Sequence, residues 1–216
     1  MPRESAAAKK ARLAEILTLL QKEYPEARCT LHFETPHQLM VATILSAQCT
    51  DERVNELTKT LFKKYRSVRD FAEADLEQLA RDVYAAGFHN AKANAIKTSA
   101  HQLLEWHHGQ IPSTLSELVK LHGVGRKTAS VILGAAFGLA EGIVVDTHVA
   151  RLSRLLKLTS QSDPVRIEND LMALVFPPDW ILFPHLLISH GRAVCIARRP
   201  RCDACVLRRL CPSART

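Results

Sequence analysis

Four of the six cysteines in this 216-residue chain fall within seventeen residues, spaced Cys195-x6-Cys202-x2-Cys205-x5-Cys211. A disulfide framework spreads its cysteines and belongs to secreted chains, whereas Glu4 and Glu15 stand where a secretory signal would be apolar or basic. The crowding reads instead as a site of four thiolates with no interleaved histidine, suited to tetrahedral zinc or to an iron-sulfur cluster. Zinc sites more often pair two short C-x2-4-C knuckles, and here only Cys202 and Cys205 stand that close. The looser spacings suit the wider cluster, so iron-sulfur leads and zinc stays open as the alternative. The last part of the chain is then loop wound about a metal. Cys29 and Cys49 lie outside the group and are expected as buried small hydrophobes.

Arginines interleave with these cysteines. From His190 to Thr216 the basic residues are Arg192, Arg198, Arg199, Arg201, Arg208, Arg209 and Arg215 against Asp203 alone, so +6 of the net +7 sits in this tail. A charge run is ordinarily a solvated face, but its coincidence with a cysteine cluster weakens that reading, and the basic balance suits a polyanionic partner. Hydrophobic residues at 47% and charged residues at 24% exclude a disordered or collagenous chain. No apolar run approaches the roughly 18 residues that cross a bilayer. An intracellular protein of one large or two small domains is expected.

The hydrophobic pattern is helical almost throughout, with no convincing alternation. Leu13, Ile16, Leu17, Leu20 and Tyr24 recur at helical spacing, and Pro25 stops the run. Thr35-Pro36 has cap-then-first-turn chemistry for a helix carrying Leu39, Met40, Ile44 and Leu45; Val54, Leu57, Leu61 and Tyr65 stripe the next. Asp75 with Gln78 reads as a capping box for a helix that Gly87 ends, and Asn90 starts another that closes near Gly109. Thr114 with Glu117 opens a short helix, and further helices are expected at 126–137, 147–157, 164–175 and 180–194. The predicted class is all-α.

The stretch Leu121-His122-Gly123-Val124-Gly125-Arg126-Lys127-Thr128-Ala129 joins two of these helices. Two glycines one residue apart allow a tight turn and leave backbone N–H groups uncovered at a helix start, a seat for a phosphate. It is not a P-loop, because Lys127 does not directly follow a glycine and the preceding residues read as helix. Lys127, in the first turn of the following helix and expected to be partly buried, is placed to act as an amine nucleophile; an ordinary solvated lysine stays open as the alternative, which this stretch taken alone favours. Further on, the apolar run Gly142 to Val145 leads to Asp146 at a helix start. Asp146 reads as an N-cap for the helix of Val149, Leu152 and Leu155, and a carboxylate held at a cap can still face a developing cation.

The hairpin LHGVGRKTA, the segment VVDTHVAR, HGRAVC and the four-cysteine spacing together resemble the endonuclease III family of the helix-hairpin-helix DNA glycosylase superfamily. LSAQCTD at Leu45 to Asp51 and AGFHNAKA at Ala86 to Ala93 match as well, so the resemblance spans nearly the whole chain. It implies a 4Fe-4S cluster on Cys195, Cys202, Cys205 and Cys211. It also implies a six-helix barrel domain over residues 29–139, a cluster domain from 1–28 and 140–216, and DNA gripped in the cleft between.

The implied chemistry falls on particular residues. Lys127 matches the lysine that attacks C1′ of a flipped nucleotide, and Asp146 the aspartate that stabilises positive charge on the sugar. Gln48 matches a residue that fills the gap left by the flipped base. Phe88 stands where the family usually has a leucine or isoleucine wedge, which bears on opposite-base preference. His122 replaces a frequent proline, and Cys49 a small residue or threonine. His122, Gly123, Val124, Gly125, Arg126, His148, Arg198, Arg199 and Arg201 complete the implied DNA contacts. The implied substrate is double-stranded DNA with damaged pyrimidines or abasic sites, handled by a monomer in the cytoplasm at the nucleoid. Two alternatives remain: a mismatch-specific adenine or thymine glycosylase, which typically lacks the hairpin lysine, and a non-catalytic iron-sulfur DNA-binding protein.

Overall fold

The computed structural model describes residues 4–215, and among them every regular element is a helix. The α-helices are α1 (Ala6–Glu23), α2 (Pro36–Leu45), α3 (Asp51–Lys64), α4 (Val68–Glu73), α5 (Leu76–Asp82), α6 (His89–His107), α7 (Leu115–Leu118), α8 (Arg126–Ile132), α9 (Thr147–Leu155), α10 (Pro164–Met172) and α11 (Leu182–Ala193). Local chemistry explains most of the starts. Ser5, Thr35, Thr50, Ser67, Asp75, Thr114, Asp146 and Asp163 each accept a first-turn N–H with the side chain, satisfying a donor that the helix itself leaves orphaned. The helices α6, α8 and α11 have no such side chain.

The chain divides into two compact units, Thr30–Leu139 and Met1–Cys29 with Ala140–Thr216. In the first, α6 packs on α2, α4 and α5 through Ala93, Ile96, Ala100 and Leu103, which recur at helical spacing and so share one face. Leu39, Met40, Leu45, Phe71, Leu79 and Leu118 fill the rest of that core. In the second, α11 packs on α1 and α9, around Leu13, Ile16, Leu20, Leu152, Phe183, Leu187 and Leu207. Each such leucine contributes about 1.5–3 kcal/mol by leaving water. The Arg12 guanidinium donates to the carbonyls of Leu156 (2.9 Å) and Leu210 (3.3 Å) while its other edge holds Glu4. The first helix is thereby tied to the end of the chain.

Several elements differ from the sequence reading. The reciprocal capping box lies at Ser67, whose hydroxyl accepts from Asp70 N while Asp70 accepts from Ser67 N. At Asp75 only half of the box forms, because the Gln78 amide donates to Asp82 instead. The helix after Asp75 ends at Asp82, followed by a 3-10 turn at Tyr84–Ala86, and does not reach Gly87. The next starts at His89, not Asn90, behind a left-handed Phe88. Beyond Ile132 the predicted 126–137 helix relaxes into a π-helical turn at Leu133–Phe137. The helices α9, α10 and α11 are shorter than expected, ending at Leu155, Met172 and Ala193. Cys29 and Cys49 are half-buried, not core.

Candidate nucleic-acid interface and active site

The hairpin between α7 and α8 is held from its inner side. Leu121 and Val124 are buried, and Val124 N donates to the Leu121 carbonyl at 3.1 Å. Gly123 has φ +78°, and a Cβ there would sit 2.7 Å from the Ala95 Cβ. Only glycine fits both the left-handed backbone and that approach. The His122 N–H is taken by Gln102 Oε1 at 2.7 Å. Two of the hairpin amides expected to be uncovered, those of His122 and Val124, are therefore engaged. The anion-attracting feature is the start of α8 after Gly125, where no side chain caps the helix and the positive end of the dipole lies. Lys127 is in that first turn and is exposed, where the sequence reading has it partly buried. His122, Gly125 and Arg126 are exposed with it.

Gln48 and Phe88 are exposed tips of two loops in the same unit, and both have left-handed backbones, φ 54° and 48°. Such conformations cost non-glycine residues about 1–3 kcal/mol and persist where the surroundings impose them. Phe88 is 67% exposed, an aromatic ring turned to solvent. Buried Lys92 donates to the carbonyls of Leu45, Ala47 and Ala86, close in sequence to both tips. Burial draws its pKa below the usual lysine value, with Cys49 opposing. Lys92 is not among the residues the sequence singles out, and its one local signal is its place in AGFHNAKA.

In the other unit, half-buried Asp146 caps α9, its Oδ1 accepting from Val149 N at 2.7 Å. His148 and His185 lie near enough to feel its charge. Burial lowers both imidazole pKa values, while Asp146 pulls each the other way. His148 Nδ1 is buried without a hydrogen-bond partner among the described residues, and a Cβ on Gly191 would come within 2.6 Å of it. The glycine of HGRAVC thus makes room for His148. His185, on the half-apolar α11, carries no motif that would single it out in the sequence.

The thiols of Cys195, Cys202, Cys205 and Cys211 line one cavity of about 170 Å³ together with Arg151, His190 and Leu207. Arg151 donates to the Cys195 carbonyl at 2.7 Å and reaches its Sγ at 3.6 Å. His190 Nε2 lies 3.4 Å from Cys205 Sγ, and its Nδ1 3.0 Å from the Tyr24 hydroxyl. Burial pushes the Cys205 and Cys211 thiols up, and the neighbouring cysteines add to it. A bound cation reverses that penalty. Around one zinc at about 2.3 Å per sulfur, four thiolates would sit roughly 3.8 Å apart and enclose no cavity. Among the described residues no three His, Cys, Asp or Glu side chains converge on a single-ion site. All four cysteines of the expected site face one cavity, a donor set of the kind that a metal centre uses, with room there for the larger cluster. Arg198, Arg199 and Arg201 are exposed on the surrounding loop, and Arg208 pairs with Asp203 at 2.8 Å.

Residues 41–177 match the family described as HhH-GPD superfamily base excision DNA repair protein. The chain is 50% identical to endonuclease III of Synechocystis sp. over 96% of its own length and 95% of that protein's. Among solved structures it is similar to a non-covalent endonuclease III–DNA complex, with 38% identity, a TM-score of 0.90 and coverage of 95% and 96% of the two chains. It is equally similar to a trapped endonuclease III–DNA covalent intermediate, an estranged-adenine complex, at 38% identity, TM-score 0.90 and the same coverage.

Proposed function

Because this chain belongs to the HhH-GPD superfamily of base excision DNA repair proteins, and within it to the endonuclease III family, we propose that it is a bifunctional DNA glycosylase and AP lyase. Its substrate is double-stranded DNA carrying oxidised pyrimidines or abasic sites, and it acts as a monomer on the cytoplasmic nucleoid. The observation that carries the reading is an exposed lysine in the uncapped first turn of α8, directly after the glycine hairpin. The glycosylase domain spans 29–139, and 1–28 with 140–216 form the cluster domain.

In this reading a base is extruded, Gln48 fills the vacated space, and Phe88 wedges the stack. The Lys127 amine attacks C1′; the C1′–N bond breaks, and the base leaves with its electron pair and takes up a proton. The sugar ring opens to a Schiff base on Nζ, loss of a C2′ proton expels the 3′ phosphate, and hydrolysis frees the lysine. Asp146 stabilises the cationic sugar and helps move protons. The α8 start, with Arg126 and His122 beside it, holds phosphate, as do His148, Arg198, Arg199 and Arg201 in the other unit. Cys195, Cys202, Cys205 and Cys211 hold a 4Fe-4S cluster whose contribution is cross-linking of the arginine-bearing loop, with Arg151 and His190 hydrogen-bonded to its ligands.

The direct test is product analysis on a duplex with one oxidised pyrimidine. The expected products are free base and a strand cut with an unsaturated 3′ aldehyde. An intact abasic strand after base release would make the protein a monofunctional glycosylase, and no release at all would remove the enzyme reading.

A further inference from the structure

Lys92 takes no part in the chemistry above, yet its environment is unusually specific. It lies on the first turn of α6 and is 5% exposed. Its Nζ donates to the carbonyls of Leu45 (2.8 Å), Ala47 (2.7 Å) and Ala86 (2.8 Å). An ammonium has three donors and no acceptor, so every proton is used, and a neutral amine would turn its lone pair on a carbonyl. The Leu45 carbonyl is an orphan at the end of α2, and the Ala86 carbonyl ends the 3-10 turn. Ala47 directly precedes Gln48, and Ala86 lies two residues before Phe88. One nitrogen thus holds the backbones of two loops that are some forty residues apart in the chain, each ending in a left-handed tip.

We propose that Lys92 is a positioning residue for base extrusion: by tying both loops to one ammonium, it sets how Gln48 and Phe88 enter the duplex. The inference rests on the proposed function and on the roles given there to those two side chains. A merely structural lysine would lower every activity in step with the folded fraction. A positioning lysine separates the reaction that needs a base extruded from the one that does not.

The experiment uses the full-length, cluster-loaded protein with Lys92→Met, which keeps the apolar stem and removes the donors, and Lys92→Gln, which keeps two. Two single-turnover rates are read on each preparation: excision of an oxidised pyrimidine from a duplex, and cleavage of an abasic site in a single-stranded oligonucleotide. Their ratio is insensitive to unfolded protein, which contributes to neither rate, so Lys92→Gln decides the matter if Lys92→Met folds poorly. The ratio is expected to fall roughly a hundredfold in Lys92→Met, the effect of a displacement of about 1 Å, and by less in Lys92→Gln. A 2-aminopurine opposite the lesion should lose its fluorescence rise in parallel. A parental ratio in both variants overturns the inference alone. A parent that performs neither reaction removes the proposed function with it, and parental ratios in Gln48→Ala and Phe88→Ala remove the roles on which it rests.

Discussion

Asp146 meets two demands with one carboxylate. Its Oδ1 closes the start of α9 on Val149 N, while its charge acts on the rings of His148 and His185, which burial biases toward the neutral form. The two demands separate by substitution, because asparagine caps a helix about as well as aspartate but carries no charge. Asp146→Asn should therefore melt within about 0.5 kcal/mol of the parent, while single-turnover excision falls on the order of 10²–10⁴-fold. Near-parental excision would reduce Asp146 to a cap. His148 shows why spacing in the sequence has physical content: its Nδ1 is packed so closely over Gly191 that any side chain there would displace it.

Among the elements, α2 joins the most legible local chemistry to a feature no local pattern announces. Thr35 and Pro36 mark its start in the sequence, and the Thr35 hydroxyl does accept from Gln38 N. His37, one residue on, is 9% exposed, packs its ring 5.3 Å from Phe71, and leaves Nε2 without a partner among the described residues. Burial lowers its pKa from 6.5 to about 4. The unfolded chain therefore takes up the proton first as pH falls, so this contribution is whole above about 6.5 and is lost toward 4. Between pH 7 and pH 4.5, urea unfolding should show the parent losing about 2–3 kcal/mol more than His37→Leu; equal losses would contradict it. The all-α class, the stripe from Leu13 to Leu20 and the single caps at Thr35, Thr114 and Asp146 were legible because a few neighbouring residues decide each of them. The box at Ser67 escaped because its third helical residue is Asp, not Glu or Gln. The left-handed Phe88, the Lys92 tie and the His122–Gln102 bond join residues between six and 47 positions apart or depend on backbone geometry, which local periodicity does not encode. The exposure of Lys127 could not be read from its helical position either.

Across the whole molecule, most of the net charge is carried by the arginine-bearing tail that surrounds the four-cysteine cavity, so the proposed cluster ligands and the proposed phosphate contacts share one segment. The purified protein should contain four irons with inorganic sulfide. If the exposed Arg198 and Arg199 meet phosphates, replacing both with alanine should lower the salt slope of duplex binding by up to about 1.8, since each lost contact removes about 0.9. An unchanged slope with the cluster intact would remove this loop from the interface. In the proposed reaction the hairpin lysine becomes covalently joined to DNA. Its most direct test is borohydride reduction during reaction with a duplex containing an oxidised pyrimidine, followed by peptide mapping of the trapped adduct. A single adduct on Lys127 is expected, absent in a Lys127→Ala protein that still folds, because alanine is the best helix former and the lysine side chain is exposed. An adduct that persists in Lys127→Ala, or maps to any other residue, would contradict it.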